Sequence, residues 1–437
     1  MPTVFSFDAY TWDAKSGRAD FLYSVTPGDQ WVETLTFPPP RVAVPFGLWN
    51  RVLFSLHIML GIGYWKTSCP KNIQIRSGEL SRAQATFWNA VYQKGLGEFF
   101  YRNHLLGNVH VRFPYLQTSS KSIRMRTTNR SLVQLGGGKD SLTSIALLQK
   151  MKKPIETFCL GSYPLIKQQT RALHLPHHTV QRTLDPKLLK GGKRYRYNGH
   201  IPIAAIYAWV GLALAVRSGD RWIVASNERS ANIGNITYHG IRVNHQWSKS
   251  LEFERLFSEY VQRFVTPDVR YFSLLRPLFE LNIARLFIEH YPQPPIFSSC
   301  NKNFLIRGWN GPRWCGTCAK CAFVFLMLAP FFPKDRLQKF FGANLLNQPS
   351  LIPMYKQLLG IRDHKPFDCV GVPTEVRAAF GKIKRDGSYA SDAVMRALDP
   401  YLTREGFRFS QDWKRAMHVS TRYRIPRFFQ SFLHDLR

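Results

Sequence analysis

The sequence predicts an α/β protein organised around a parallel sheet, with an α+β region before it and a mainly helical region after it. Three observations carry this. From Ser131 onward, short apolar segments alternate with stretches of helical length, the pattern of a sheet covered on both faces. The first such strand, Leu132–Leu135, runs straight into Gly136-Gly137-Gly138 and a helical stretch. Another, Trp222–Ala225, ends on Ser226-Asn227-Glu228, so both polar segments fall at carboxyl ends of strands, where open α/β sheets bind their ligands.

Taken in order, residues 1–128 form a first α+β domain. Alternating segments at Val4–Phe7, Leu22–Val25 and Trp31–Phe37, with a Pro27-Gly28-Asp29 turn, predict a small sheet. Apolar residues then recur near a 3.6 period over Trp49–Ile62 and Gly78–Tyr101, which predicts two helices. Residues 129–330 hold the parallel sheet: helix Leu142–Met151, strand Ile155–Leu160, strand Thr179–Leu184, helix Ile201–Val216 and strand Trp222–Ala225. In residues 331–437, Pro330, Pro333, Pro349 and Pro353 divide the chain into short helices.

Composition narrows the function classes. At 437 residues, 45% hydrophobic and 20% charged, the chain is long and apolar enough for a large core and is not of disordered type. The net charge of +32 implies anionic partners: nucleic acid, nucleotides or a membrane surface. The basic residues are spread along the chain without a run of five or six, weaker evidence for nucleic acid than a stripe would be. The N-terminal residues lack a basic segment followed by an apolar one, so no secretory signal is expected. The apolar run Ile201–Val216 is sixteen residues long, short of the ~20 a spanning helix needs, so no transmembrane segment is expected either. Seven cysteines, three of them in Cys315-Gly-Thr-Cys318-Ala-Lys-Cys321, suit a cytoplasmic chain with a metal site better than a disulfide framework.

Four segments carry candidate chemistry. Gly136, Gly137 and Gly138 permit a tight turn and close approach of a phosphate to backbone N–H groups at a helix N-terminus. Lys139 adds a positive charge and Ser141 a hydroxyl, while Asp140 either holds magnesium or caps the helix. After the strand ending at Ala225 come Ser226-Asn-Glu-Arg-Ser-Ala-Asn232 and Val243-Asn-His-Gln-Trp-Ser-Lys-Ser-Leu-Glu252. Here His245 and Lys249 are candidate proton carriers, and Glu228 is a candidate base or metal ligand. Cys300, Cys315, Cys318 and Cys321 could complete a tetrahedral zinc site, with a four-cysteine iron–sulfur cluster as the alternative. Asp363-His-Lys-Pro-Phe-Asp-Cys-Val-Gly371 offers His364, Lys365, Asp368 and Cys369 as an anion-binding or proton-transfer group, or simply a turn.

The glycine loop resembles the Ser-Gly-Gly-x-Asp-Ser loop of the ATP-pyrophosphatase (PP-loop) superfamily, with Gly136 in place of the first Ser. The order of the loop, the Ser226 and Val243 segments, Trp314-Cys-Gly-Thr-Cys-Ala-Lys-Cys-Ala-Phe-Val-Phe and His364-Lys-Pro-Phe-Asp-Cys-Val-Gly resembles one family within it, up to about residue 385. That family is the UDP-N-acetylmuramoyl-L-alanyl-L-glutamate epimerases (MurL) of bacterial peptidoglycan synthesis. The resemblance implies a sheet of the adenine nucleotide alpha-hydrolase type. It also implies use of ATP and Mg2+ to invert the terminal L-Glu of UDP-N-acetylmuramoyl-L-Ala-L-Glu, giving AMP and pyrophosphate, and a functional link to the ligase that adds that L-Glu. An ATP-dependent RNA-modifying enzyme, a tRNA thiolase or lysidine-forming enzyme, is the alternative that shares the loop and suits the basic charge. The basic C-terminus, with Arg404, Arg408, Lys414, Arg415, Arg422, Arg424 and Arg427, is assigned no function by either reading.

Overall fold

The computed structural model describes residues 3–117, 121–190, 195–306, 308–403 and 407–436; Arg404 lies outside them. The fold is mixed α/β around one nine-stranded sheet. Its strands are β1 (Val4–Asp13), β2 (Arg18–Thr26), β3 (Gln30–Thr36), β4 (Asn72–Ile75), β5 (Thr128–Gln134), β6 (Ile155–Leu160), β7 (His177–Thr183), β8 (Asp220–Ala225) and, beyond a separate hairpin of β9 (Ile236–Tyr238) and β10 (Ile241–Val243), β11 (Arg270–Ser273). The order across the sheet is β11-β8-β5-β6-β7-β3-β2-β1-β4. From β11 to β7 all neighbours are parallel, and β3, β2 and β1 continue it antiparallel.

The small N-terminal sheet expected from the sequence is therefore an extension of the parallel one. Its joint is β7 against β3, with Leu35 opposite Arg182. The alternation in β2 and β3 foretells one buried face, and Glu33 is the exception: it is fully buried and bonds Arg182 Nε at 2.7 Å across the joint. An ion pair placed here forces the two halves into one register, because a slip of one residue would point the charges to opposite faces.

β6 is buried at every position and β5 at Ser131, Leu132 and Val133, because helices cover both sides. One face packs against helices Phe46–Leu60 and Ile203–Ser218. The second is buried nearly all round, as its lack of a polar stripe predicts, and it ends at Gly219 in the left-handed region, φ +73°. The stretch Phe46–Trp65 is long and apolar enough to cross a membrane, but 72% of its most apolar window is buried inside the fold, as in a core helix. The helix expected over Gly78–Tyr101 is two, Arg82–Gly95 and Gly97–Arg102, and the break sets Glu98 in the first turn of the second.

The opposite face packs against helices Lys139–Lys150 and Glu280–His290 and against the C-terminal segment, through Val419, Ile425, Phe429, Phe432 and Leu433. Phe428 stacks on Trp222 and lies under Lys153 Nζ at 3.4 Å. The basic C-terminus thus buries apolar side chains on the sheet while its cations stay at the surface. Residues 319–402 form a helical layer with its own core around Phe325, Tyr355 and Phe380.

The Glu33–Arg182 pair generates a stability prediction. Glu33→Ala leaves a buried guanidinium without its partner and lowers unfolding free energy by about 3–5 kcal/mol, whereas the double variant Glu33→Ala/Arg182→Leu recovers most of it. Urea unfolding monitored by far-UV circular dichroism measures both; equal losses in the single and double variants would contradict the assignment.

Candidate active site

The chain turns opposite ways on leaving β5 and β8. β5 feeds helix Lys139–Lys150 on one face and leads to β6, while β8 lies beneath Ile203–Ser218 on the other face and leads through helix Leu251–Tyr260 to β11. A switch point of this kind opens a crevice at the carboxyl ends of the two strands. The glycine loop follows β5 there, and Ser226–Glu228 follow β8. The two are tied by a hydrogen bond from Ser226 Oγ to Ser144 Oγ at 2.8 Å.

The loop has a closed side and an open one. Gly137 has φ +80°, and a side chain there would collide with Phe304 and Leu165. Its carbonyl accepts bonds from Gln169 Nε2 and Ser298 N, each at 2.9 Å. A Cβ on Gly136, in contrast, would meet nothing within 4 Å. Gly138 is the N-cap of helix Lys139–Lys150 and no side chain caps it, so first-turn N–H groups stand beside open space with the positive end of the helix dipole. Ser141 Oγ donates to Gly138 O at 3.1 Å. Asp140 is therefore not the cap.

Lys139 points inward. Only 1% exposed, its ammonium bonds Asp140 Oδ1 at 2.5 Å and Glu280 Oε2. Burial works against the lysine's charge, but these two carboxylates outweigh it and hold Lys139 protonated. Burial and the neighbouring Asp140 charge raise Glu280, with Lys139 opposing. Glu228, also buried, brings its carboxylate to the same place: oxygens of Asp140, Glu228 and Glu280 lie within 4.8 Å of one another. Such an oxygen set suits a hard divalent cation.

Arg276 fixes much of this arrangement. It is fully buried and donates to Glu228 O at 2.7 Å, Lys249 O at 2.5 Å, Ser273 Oγ at 3.2 Å and Glu254 Oε2 at 3.1 Å. Much of the polar density after β8 proves to be cross-linking. Asn227 bonds Ser273 Oγ at 3.0 Å, Asn244 bonds Ala231 O at 2.9 Å, and Asn232 Oδ1 accepts from Leu251 N at 2.7 Å. Lys249 is half-buried beside Cys369, Glu228, Asp140 and Glu280; burial opposes its charge, but these anions keep it protonated.

The fourth predicted segment joins the same site. Asn235 Nδ2 donates to Pro366 O at 2.7 Å, and Gln246 Nε2 to Val370 O at 3.1 Å, so the loop 363–371 is laced to the residues around His245. His245 Nδ1 bonds Glu98 Oε2, and Nε2 faces Cys369 Sγ at 3.7 Å. His200 packs on His245, with Nδ1 3.4 Å from the same Glu98 oxygen. Burial lowers His245, but the bonds to Cys369 and Glu98 prevail and push it up to about 9. Burial alone would raise the Cys369 thiol; Lys249, Lys320 and His245 instead bring it down to about 6. The Lys365 ammonium is buried with no hydrogen-bond partner among the described residues, and the charges acting on it include Glu228 and Cys369.

The four predicted cysteines converge. Their sulfurs lie within 4.8 Å of one another, with Cys318–Cys321 at 3.4 Å, Cys315–Cys321 at 3.7 Å and Cys300–Cys318 at 4.0 Å. This cluster could hold a metal. It sits at the start of helix Ala319–Leu328, which carries Lys320.

Sequence reasoning missed Glu98, His200, Arg276 and Glu280. Glu98 and Glu280 occupy helix first turns, where an acidic residue is unremarkable, and Arg276 follows a strand of only four residues. Two charged residues, Arg276 and Glu280, inside the otherwise mainly apolar stretch Phe272–Leu281 were the available signal for both.

Two family models match most of the chain. The family model described as MurL N-terminal domain matches residues 1–274, and that described as MurL C-terminal domain matches residues 296–410. A protein of Xanthomonas oryzae pv. oryzae named UDP-N-acetyl-alpha-D-muramoyl-L-alanyl-L-glutamate epimerase is 39% identical over 403 residues, covering 90% of this chain and 88% of the relative. Proteins of the same name from Salinispora tropica and Micromonospora sp. are each 36% identical, covering 90% of this chain and 88% and 90% of the relatives.

The charge environment of Cys369 yields a prediction independent of any activity. Iodoacetamide at pH 7 labels Cys369 well ahead of Cys69, which burial pushes up to about 12, and the Cys369 rate climbs through about pH 6. Peptide mass mapping of timed reactions reads this. Labelling of Cys369 no faster than Cys69 would contradict the arrangement.

Proposed function

The chain belongs to the MurL epimerase family, and we propose that it inverts the terminal glutamate of UDP-N-acetylmuramoyl-L-Ala-L-Glu after adenylating its α-carboxylate with ATP. The observation that carries this reading is the meeting, at one switch point, of an open glycine loop with three carboxylates, a lysine whose buried ammonium has no hydrogen-bond partner among the described residues, and a cysteine–histidine pair.

The chemistry needs these parts. A Cα proton beside an ionised carboxylate is scarcely acidic, because the carbanion would adjoin an existing negative charge. Adenylation removes that charge and turns the carbonyl into an electron sink. The strand order β11-β8-β5-β6-β7 and the glycine loop support a PP-loop type of fold for the parallel half. In this reading Gly136, Gly137, Gly138 and Ser141 receive phosphate oxygens. Asp140, Glu228 and Glu280 would hold Mg2+, which supplies charge neutralisation on the phosphates when bound. Lys139, locked between two of those carboxylates, sets their positions. Lys249 and Lys365 supply cations toward the anionic substrate and the carboxylate undergoing reaction. Inversion at Cα then requires proton removal and return on opposite faces, followed by hydrolysis of the acyl-adenylate to the D-Glu product and AMP.

Zinc is the ion proposed for Cys300, Cys315, Cys318 and Cys321. Tetrahedral Zn–S bonds of about 2.3 Å place sulfurs about 3.8 Å apart, close to the 3.4, 3.7 and 4.0 Å of three pairs here, with all four sulfurs within 4.8 Å of one another, whereas an iron–sulfur cluster needs wider spacing. All four ligand positions are then filled, so the site is structural: it anchors the helix that presents Lys320. A nucleotide-linked substrate and ATP place the reaction in the cytoplasm, downstream of a ligase that attaches L-Glu.

Incubation with ATP, Mg2+ and UDP-N-acetylmuramoyl-L-Ala-L-Glu in D2O should release pyrophosphate only when the dipeptide is present and give D-Glu carrying deuterium at Cα. Retention of L-Glu without deuterium would overturn the reading, and salt-sensitive tRNA binding in its place would favour an RNA-modifying enzyme. Asp140→Ala should lower pyrophosphate release by about 10²-fold or more. Purified protein should contain zinc by elemental analysis, and Cys318→Ser should lose it together with thermal stability.

A further inference from the structure

We propose that Cys369 is the base that removes the glutamate Cα proton on one face, with His245 and Glu98 as the residues that position it. The inference deepens the epimerase reading and rests on it. It begins by elimination among the groups at the site. Both nitrogens of His245 are engaged, Nδ1 with Glu98 and Nε2 with Cys369, so the ring has no free nitrogen to offer a substrate. Lys249 lies beside the carboxylates of Asp140, Glu228 and Glu280 as well as beside Cys369, which places it as the cation of the site. Asp140, Glu228 and Glu280 gather as an oxygen set around Lys139. His200 Nε2 and Lys365 Nζ are buried without hydrogen-bond partners among the described residues; of the groups that remain, the sulfur of Cys369 is the one that stands against an imidazole held by a carboxylate.

Its surroundings suit the task. Glu98 to His245 to Cys369 is a carboxylate–imidazole–thiol chain, in which the carboxylate orients the ring and the ring stabilises the thiolate as an ion pair. The cations acting on the sulfur come from two separate segments: His245 and Lys249 after the hairpin, and Lys320 on the cysteine-cluster helix. The Cys369 N–H donates to Asp368 Oδ1 at 2.8 Å, which fixes the backbone of the loop without taking the sulfur.

The same constellation could attack a carbonyl, but a thioester would be a weaker electron sink than the acyl-adenylate already formed, so it would leave the need for a base unmet. In the proposed step the Cys369 thiolate takes the Cα proton. The C–H electron pair delocalises onto the carbonyl oxygen of the acyl-adenylate. On collapse of this enolate an acid delivers a proton to the opposite face, for which the site offers the Lys249 ammonium. Exchange with solvent returns Cys369 to thiolate and Lys249 to ammonium, and no redox partner is required.

The test separates activation from inversion in the full-length protein with ATP, Mg2+ and the dipeptide substrate. Cys369→Ala and Cys369→Ser should lower formation of D-Glu and solvent deuterium incorporation by about 10²–10⁴-fold, while dipeptide-dependent pyrophosphate release falls by a much smaller factor. That retained release also reports a folded ATP site. His245→Asn should slow iodoacetamide labelling of Cys369 at pH 7 and shift its midpoint upward, a change that mere loss of packing would not direct. Three results would overturn the proposal: inversion at the wild-type rate in Cys369→Ala, equal loss of pyrophosphate release and inversion in both variants, or a substrate adduct on Cys369 in acid-quenched wild-type protein. Absence of dipeptide-dependent pyrophosphate release from the wild type would instead defeat the epimerase reading itself.

Discussion

A single guanidinium, that of Arg276, determines where the reactive side chains can stand. Burying a charge completely is costly unless its donors all find acceptors. Arg276 meets that condition by combining the carboxylate of Glu254 with two main-chain carbonyls and a hydroxyl. The carbonyls belong to Glu228 and Lys249, the residues whose side chains reach the crevice from β8 and from the turn before helix Leu251–Tyr260. Gripping the backbone at these two positions leaves their side chains available and yet aimed. The same bonds anchor the carboxyl ends of β8 and β11, so the sheet and the site share one support.

Lys139 plays a comparable part on the other wall of the crevice. A lysine adjoining a glycine loop would be expected to reach outward to phosphate; here it is drawn into a buried triangle with Asp140 and Glu280. Three carboxylates at close range repel one another, and the ammonium offsets part of that repulsion when no other cation is present. The crevice is consequently built of alternating charges whose balance any charged ligand would alter, with Lys365 still lacking a partner among the described residues.

Local patterns were readable in the sequence and long-range ones were not. β6 was legible to the residue because its whole run is buried, and the strand–turn–helix junction at Gly136–Gly138 because three glycines stand between an apolar strand and a helical stretch. The four cysteines were legible by spacing. The joining of β3 to β7 was hidden, since antiparallel edge pairing leaves no periodic mark; only the buried Glu33 betrays it. His245 was identified, but its dependence on Glu98 and Cys369 could not be read, because each lies in a segment with an adequate local explanation: a helix first turn for one and a turn for the other. The polar stretch after β8 was read as dense with function, and part of that density is structural, as Asn227, Asn232 and Asn244 show.

The separations within the Glu98–His245–Cys369 chain have a consequence for assembly. Its members are 147 and 124 residues apart, whereas Gly136 to Ser141 are contiguous with the strand and helix that shape them. Loop closure over such distances comes late in folding, after local elements have formed. The closed side of the glycine loop, where Gln169 and Ser298 bond the Gly137 carbonyl, is likewise completed only by distant segments. Full competence in this molecule is a property of the completed tertiary structure, and the cysteine–histidine contact is a natural reporter of when that state has been reached.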